Sequence, residues 1–148
     1  MSEIAIRAAT LFDAQNIAGL LHDSFDWAYP DFKPIYTTQD YLEFVRSVLL
    51  KHWMVELATE DRHLLGVIAY STTEVSQLYV DPSHLRQGIG TQLLRRAQTA
   101  ADALTLWTFA VNEDALEFYG SHGFQEIART DGDNDRGEPD VQLEWRRP

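Results

Sequence analysis

Apolar residues recur along this chain with the period of a strand in some stretches and of a helix in others, and the switches predict an order of elements. Ile4 and Ile6 alternate with Glu3, Ala5 and Arg7, a first strand. Thr10 and Asp13 stand at capping-box spacing, so a helix is expected there, with Ala14, Ile17, Ala18 and Leu21 as its buried stripe and an end near Phe25. Residues 24–36 are rich in aromatics and broken by Pro30 and Pro34; Thr37 to Asp40 then opens a second helix with Leu42, Val45, Val48 and Leu49 on its apolar face. Strands follow at residues 53–58 and 64–70, joined as a hairpin across 59–63, and a further strand covers 74–80. A long helix is expected at about residues 89–103, with Ile89, Leu93 and Ala97 broadened by Leu94 and Ala101. Next come a strand at 104–109, a helix at 112–123 capped by Asn112 and stopped by Gly123, and a strand from 124 to 128. A polar loop at 131–140 precedes a last strand, 141–145, whose exposed edges could pair across a homodimer. The order β-α-α-β-β-β-α-β-α-β-β predicts a mixed α/β (α+β) domain around one sheet, a single domain spanning residues 1–148.

Composition narrows the partners. The net charge of −11 repels a nucleic-acid backbone and attracts cations, a small amine being the obvious kind, although such charge also serves solubility alone. No apolar run reaches the roughly 18 residues of a membrane span, and the N-terminus resembles neither a signal nor a transit peptide, which fits a cytoplasmic protein. Cysteine is absent, removing thiolate metal sites and cysteine nucleophiles, and the histidines (His22, His52, His63, His84 and His122) show no metal-ligand spacing, so no metal is expected.

The chemistry concentrates between strand 74–80 and the long helix. Asp81, Pro82 and Ser83 break the strand, and a short loop leads to Gly88-Ile89-Gly90 at the helix start. The first helical N–H groups lack intrahelical partners and carry partial positive charge, glycines let an anion approach the backbone, and Arg86 adds a fixed charge. A Walker loop needs a lysine before Thr91, and a dinucleotide fingerprint needs a third glycine where Leu93 stands. The remaining pattern, Q/R-x-x-G-x-G/A, matches Leu85-Arg86-Gln87-Gly88-Ile89-Gly90 with a departure at Leu85.

That loop resembles the pyrophosphate loop of the GNAT superfamily of N-acetyltransferases. Residues 112–124, NEDALEFYGSHGF, resemble the same family's N-x-x-A-x-x-F-Y-x-x-x-G-F segment. The resemblance implies a mostly antiparallel central sheet flanked by helices, with two splayed central strands holding acetyl-CoA, and acetyl transfer to a small-molecule or peptide amine. It implies that Leu78, Tyr79 and Val80 pair with the pantetheine arm, that an N–H near Leu78 polarises the thioester carbonyl, and that Arg86, Gln87, Gly88, Ile89, Gly90 and Thr91 hold the pyrophosphate. Asn112 would bond the pantetheine arm, or serve only as a helix cap.

Amine attack on a thioester needs a neutral amine and a proton for the leaving thiolate. By position in the family pattern, Glu74 is the candidate base, partial desolvation raising its basicity; the alternative is a solvated strand-edge glutamate. Tyr119 is the candidate acid, or else a packed helix tyrosine. Trp27, Tyr29 and Phe32 could line an acceptor pocket or pad the core. The resemblance implies direct attack by the amine in a ternary complex, and the absence of a cysteine nucleophile agrees with that. The rivals are a non-catalytic acyl-CoA-binding module and an unrelated nucleotide-binding domain.

Overall fold

The computed structural model describes residues 3–148. Strands β1 (Ala5–Ala8), β2 (Met54–Glu60), β3 (His63–Tyr70) and β4 (Val75–Val80) form an antiparallel sheet in the order β1-β2-β3-β4. Strands β5 (Ala103–Phe109), β6 (Gln125–Thr130) and β7 (Asp140–Arg146) form a second antiparallel sheet in the order β5-β7-β6. The helices are α1 (Ala14–Ala28), α2 (Thr38–Phe44), α3 (Leu50–His52), α4 (Ile89–Ala100) and α5 (Glu113–Ser121).

Two cores hold these layers together. On one face, Ile89, Leu93, Leu94 and Ala97 of α4 pack with Ile68, Val75, Leu104, Leu106, Val141, Leu143 and Trp145, so α4 spans both sheets. On the other face, Ile17, Leu21, Val45 and Leu49 cover Val55, Leu57, Val67 and Ala69 of the first sheet. Each fully buried aliphatic side chain contributes about 1.5–3 kcal/mol of transfer free energy. Helix α4 sits close to β3 because Gly66 has no side chain: a Cβ there would lie 2.9 Å from Leu93 Cδ1 and 3.1 Å from Ile89 Cγ2.

The mostly antiparallel central sheet expected is present as two halves, splayed where they join. β4 and β5 meet at a single parallel bridge, Glu74 with Thr105, where the Thr105 N–H donates to the Thr73 carbonyl at 3.0 Å. Beyond it the strands part. The cause is a β-bulge: Ala69 stands opposite Gln77 but Tyr70 opposite Val75, so Ser76 is an extra residue that bends β4. The bulge also lets Val75, Leu78 and Val80 all pack towards α4, while Tyr79 packs towards α1.

Most predicted elements stand where the periodicity put them, with four differences. The Thr10–Asp13 capping box is present but caps a 3₁₀ turn, Leu11–Asp13, from which α1 continues to Ala28 because no breaker comes before Pro30. The second helix contains a π turn, Val45–Leu49, which changes its phase; Val45 and Leu49 stay buried while Val48 is exposed. Helix α4 ends at Ala100, since the Arg147 guanidinium donates to the carbonyls of Gln98, Thr99 and Ala101 and closes the helix end. The last strand has no free edge: β7 lies between β5 and β6, so residues 141–145 are already paired on both sides.

Candidate active site

The unpaired edge of β4 faces a large cleft of about 970 Å³. Its walls include Leu78, Tyr79 and Val80 of β4, the loop from His84 to Thr91, Ser24 and Trp27 of α1, and Asn112, Phe118 and Tyr119 at α5. The loop turns through left-handed backbone at Arg86 (φ 64°) and Gly88 (φ 81°), which aims the start of α4 into the cleft. Gly90 faces α5 closely, since a Cβ there would lie 3.3 Å from the Phe118 ring. Arg86 lines the cleft and makes no ion pair among the described residues.

A smaller cavity of about 140 Å³ fills the splay itself, lined by Val75–Tyr79 of β4, residues 106–109 of β5, Tyr29, Asn112, Ala115, Tyr119 and Asp140. The two spaces share Leu78, Tyr79, Asn112, Ala115 and Tyr119 in their walls. Tyr119 therefore stands at the junction of the two spaces. Burial pushes its phenol well above the ordinary tyrosine range.

Asn112 organises this junction. Its Oδ1 accepts from the Ala115 N–H at 3.0 Å and caps α5, while its Nδ2 donates to the Tyr29 hydroxyl at 2.8 Å, tying α5 to α1. Burial raises the Tyr29 phenol, opposed by its hydrogen bonds to Asn112 and Thr108. Thr91 is engaged as well. His122 Nδ1 lies 2.8 Å from the Phe118 carbonyl and so carries the proton, leaving Nε2 to accept from the Thr91 hydroxyl at 3.1 Å.

The structure brings together Tyr119, Asn112, Leu78, Tyr79, Val80, Arg86, Gly88, Ile89, Gly90 and Thr91 around one cleft. The Ile89 side chain is buried in the core, so only its backbone is available there. Gln87 lies outside the cleft wall: between two left-handed residues its side chain is turned to solvent. Glu74 is exposed at the joint and lines neither space, so the desolvation expected for it is absent. The three aromatics are divided. Trp27, 57% exposed, lines the large cleft; Tyr29 lines the small cavity; Phe32 lines neither and stacks on Tyr29 at 4.8 Å between ring centroids. Ser24 and Asp140 are among the wall residues that the sequence reading did not single out. Both owe their place to tertiary packing, and Asp140 closes a run of loop acids that reads as solvated surface.

Among the described residues, no cluster of His, Asp or Glu is arranged to hold a metal ion, and no helix is long and apolar enough to cross a membrane.

The profile of the acetyltransferase (GNAT) domain family matches residues 51–126, from α3 through α5 into β6. The chain is 30% identical over 123 residues to the peptidyl-lysine N-acetyltransferase YiaC of Escherichia coli K12, a match covering 80% of this chain and 82% of that protein. Its fold is similar to the solution structure of apo YjaB from Escherichia coli, with a TM-score of 0.80, 24% identity and 97% of each chain covered. It is also similar to PaiA N-acetyltransferase of Thermoplasma acidophilum, solved in complex with coenzyme A, with a TM-score of 0.78, 19% identity, and 98% and 99% of the two chains covered.

Proposed function

We propose a specific reaction from the premise that this chain belongs to the GNAT acetyltransferase family and is an acetyl-CoA-dependent acetyltransferase. The reaction is transfer of the acetyl group to a primary amine, a lysine side chain in a peptide or protein, by direct attack in a ternary complex. The observation that carries it is Tyr119 in the wall shared by the cleft and the splay cavity.

The residues present fit acetyl-CoA. The cleft is large, the N-terminus of α4 with its left-handed glycine stands in its wall, and Arg86, without an ion pair among the described residues, lines it in a chain of net charge −11. The buried Ser24 hydroxyl in the cleft wall has no hydrogen-bond partner among the described residues, as expected of a group completed by a bound molecule. Backbone amides of residues 88–91 and Arg86 would hold the pyrophosphate, and the free edge of β4 at Leu78–Val80 would pair with the pantetheine arm. When bound, acetyl-CoA supplies an activated acyl carbon.

The chain's own groups do the rest. A β4 N–H near Leu78 stabilises charge developing on the carbonyl oxygen. Tyr119 holds a proton at its hydroxyl for the departing sulfur. The relative named a peptidyl-lysine N-acetyltransferase supports a lysine acceptor, and the acidic chain favours a cationic one.

The test is incubation with acetyl-CoA and a lysine-containing peptide, following thiol release and peptide mass, with Tyr119→Phe alongside. The wild type is expected to add an acetyl group at the lysine, and Tyr119→Phe to lose roughly 100-fold in kcat with little change in acetyl-CoA affinity. Acetyl-CoA binding with no amine acetylated above the uncatalysed background would contradict the reading.

A further inference from the structure

We infer that Asp140 receives the acceptor's ammonium group in the splay cavity and takes its proton, an assignment that rests on the amine-transfer reading above. Asp140 is 8% exposed and lines the cavity that Tyr119 also lines. Among the described residues its side chain has a hydrogen bond from the Thr130 hydroxyl and no ion pair. Burying a carboxylate without a cation is costly, so such a group inside a cavity is one that a ligand completes.

The walls around it suit an alkylammonium. Phe109 is the register partner of Asp140, and its ring meets that of Tyr29 edge to face at 5.3 Å between centroids. Carboxylate and aromatic faces together select a cation through an ion pair and ring quadrupoles. Tyr29, just past the end of α1, and Tyr119 of α5 line the same space. The loop leading into β7 brings Asp131, Asp133, Asp135, Arg136 and Glu138. Arg136 is held elsewhere, over the Phe25 ring at 4.1 Å and the Tyr36 ring at 5.2 Å, with Nη1 donating to the Lys33 carbonyl. Asp135 accepts from the Tyr36 hydroxyl. The missing cation is therefore the acceptor's. A cavity of about 140 Å³ admits an ammonium and its neighbouring methylenes, which fits an unbranched primary amine.

The step balances. The ammonium gives one proton to Asp140, and the nitrogen lone pair forms a C–N bond to the acyl carbon. The C–S bond breaks, and the sulfur leaves with the electron pair and takes the Tyr119 proton. The nitrogen's remaining excess proton returns to the phenolate, and Asp140 releases its own to solvent. Ammonium and thioester thus become amide, thiol and a free proton.

Asp140→Asn tests this, because it keeps an acceptor for Thr130 and nearly the same volume while removing the charge. With a lysine peptide, kcat/KM at neutral pH is expected to fall on the order of 100-fold and the acid limb of its pH profile to extend upward toward the free amine's own range of about 10.4, with acetyl-CoA affinity within about twofold of wild type. With an aromatic amine, uncharged at neutral pH, the deficit should shrink. Thr130→Val removes the hydroxyl and leaves the carboxylate, so it should keep the acid limb. If Asp140→Asn does not fold, the wild type decides: with the lysine peptide its kcat/KM should level off well below the free amine's own range of about 10.4, as it does when an enzyme base takes the ammonium's proton. An Asp140→Asn protein with wild-type kcat/KM and acid limb, a Thr130→Val protein that reproduces its losses, or a wild-type profile with the lysine peptide that keeps rising to about 10.4 would overturn the assignment. If the wild type acetylates no amine, the amine-transfer reading falls and this assignment with it.

Discussion

At Tyr119 the phenol packs against the rings of Phe118 and Phe124, 5.2 and 5.5 Å away between centroids, and its burial has a kinetic consequence. A general acid must be protonated to act, and a raised value keeps it protonated at higher pH. The wild type should therefore show no loss of kcat from this group below the ordinary tyrosine range of about 10, a point settled by extending the Tyr119→Phe comparison to alkaline pH. The positions of Tyr119, Asn112 and the glycines beside the cleft were legible because each lies in a motif resembling the family's, on a local loop or helix. Asp140 was not, since its burial depends on Phe109 and Thr130, its partners on the two neighbouring strands. Glu74 shows the converse: position in a pattern located it, but the structure puts it just before β4, exposed at the joint with Thr105.

Between elements, the position of α4 decides whether the loop faces the cleft. Gly66→Ala places a Cβ 2.9 Å from Leu93, 3.1 Å from Ile89 and 3.2 Å from the Tyr79 carbonyl. The strand must move or the helix must, at a cost of about 1–3 kcal/mol. Denaturant unfolding should show that loss, and acetyl-CoA affinity should fall with it because Ile89 opens α4. Periodicity and capping boxes predicted nearly every element here, since those signals are local. The bulge at Ser76 was hidden by polar neighbours that alternate acceptably either way, and the central place of β7 is a matter of strand order, which no local pattern encodes.

For the molecule as a whole, the net charge of −11 works at longer range than any contact. It should draw a cationic acceptor inward and lose that pull as salt screens it. The KM for a lysine peptide is expected to rise severalfold between roughly 0.05 and 0.5 M ionic strength, while a neutral amine shows little change; steady-state assays across that range decide it. The central claim is that the splay and glycine loop form an acetyl-CoA site. Calorimetric titration with acetyl-CoA, using ATP and NAD as controls, tests it most directly. Micromolar binding of acetyl-CoA, weakened at least about tenfold by Gly88→Glu, which puts a side chain and a negative charge on a left-handed position at φ 81°, is the predicted result. A folded protein that binds no acetyl-CoA, or binds it equally well with Gly88→Glu, would contradict the claim.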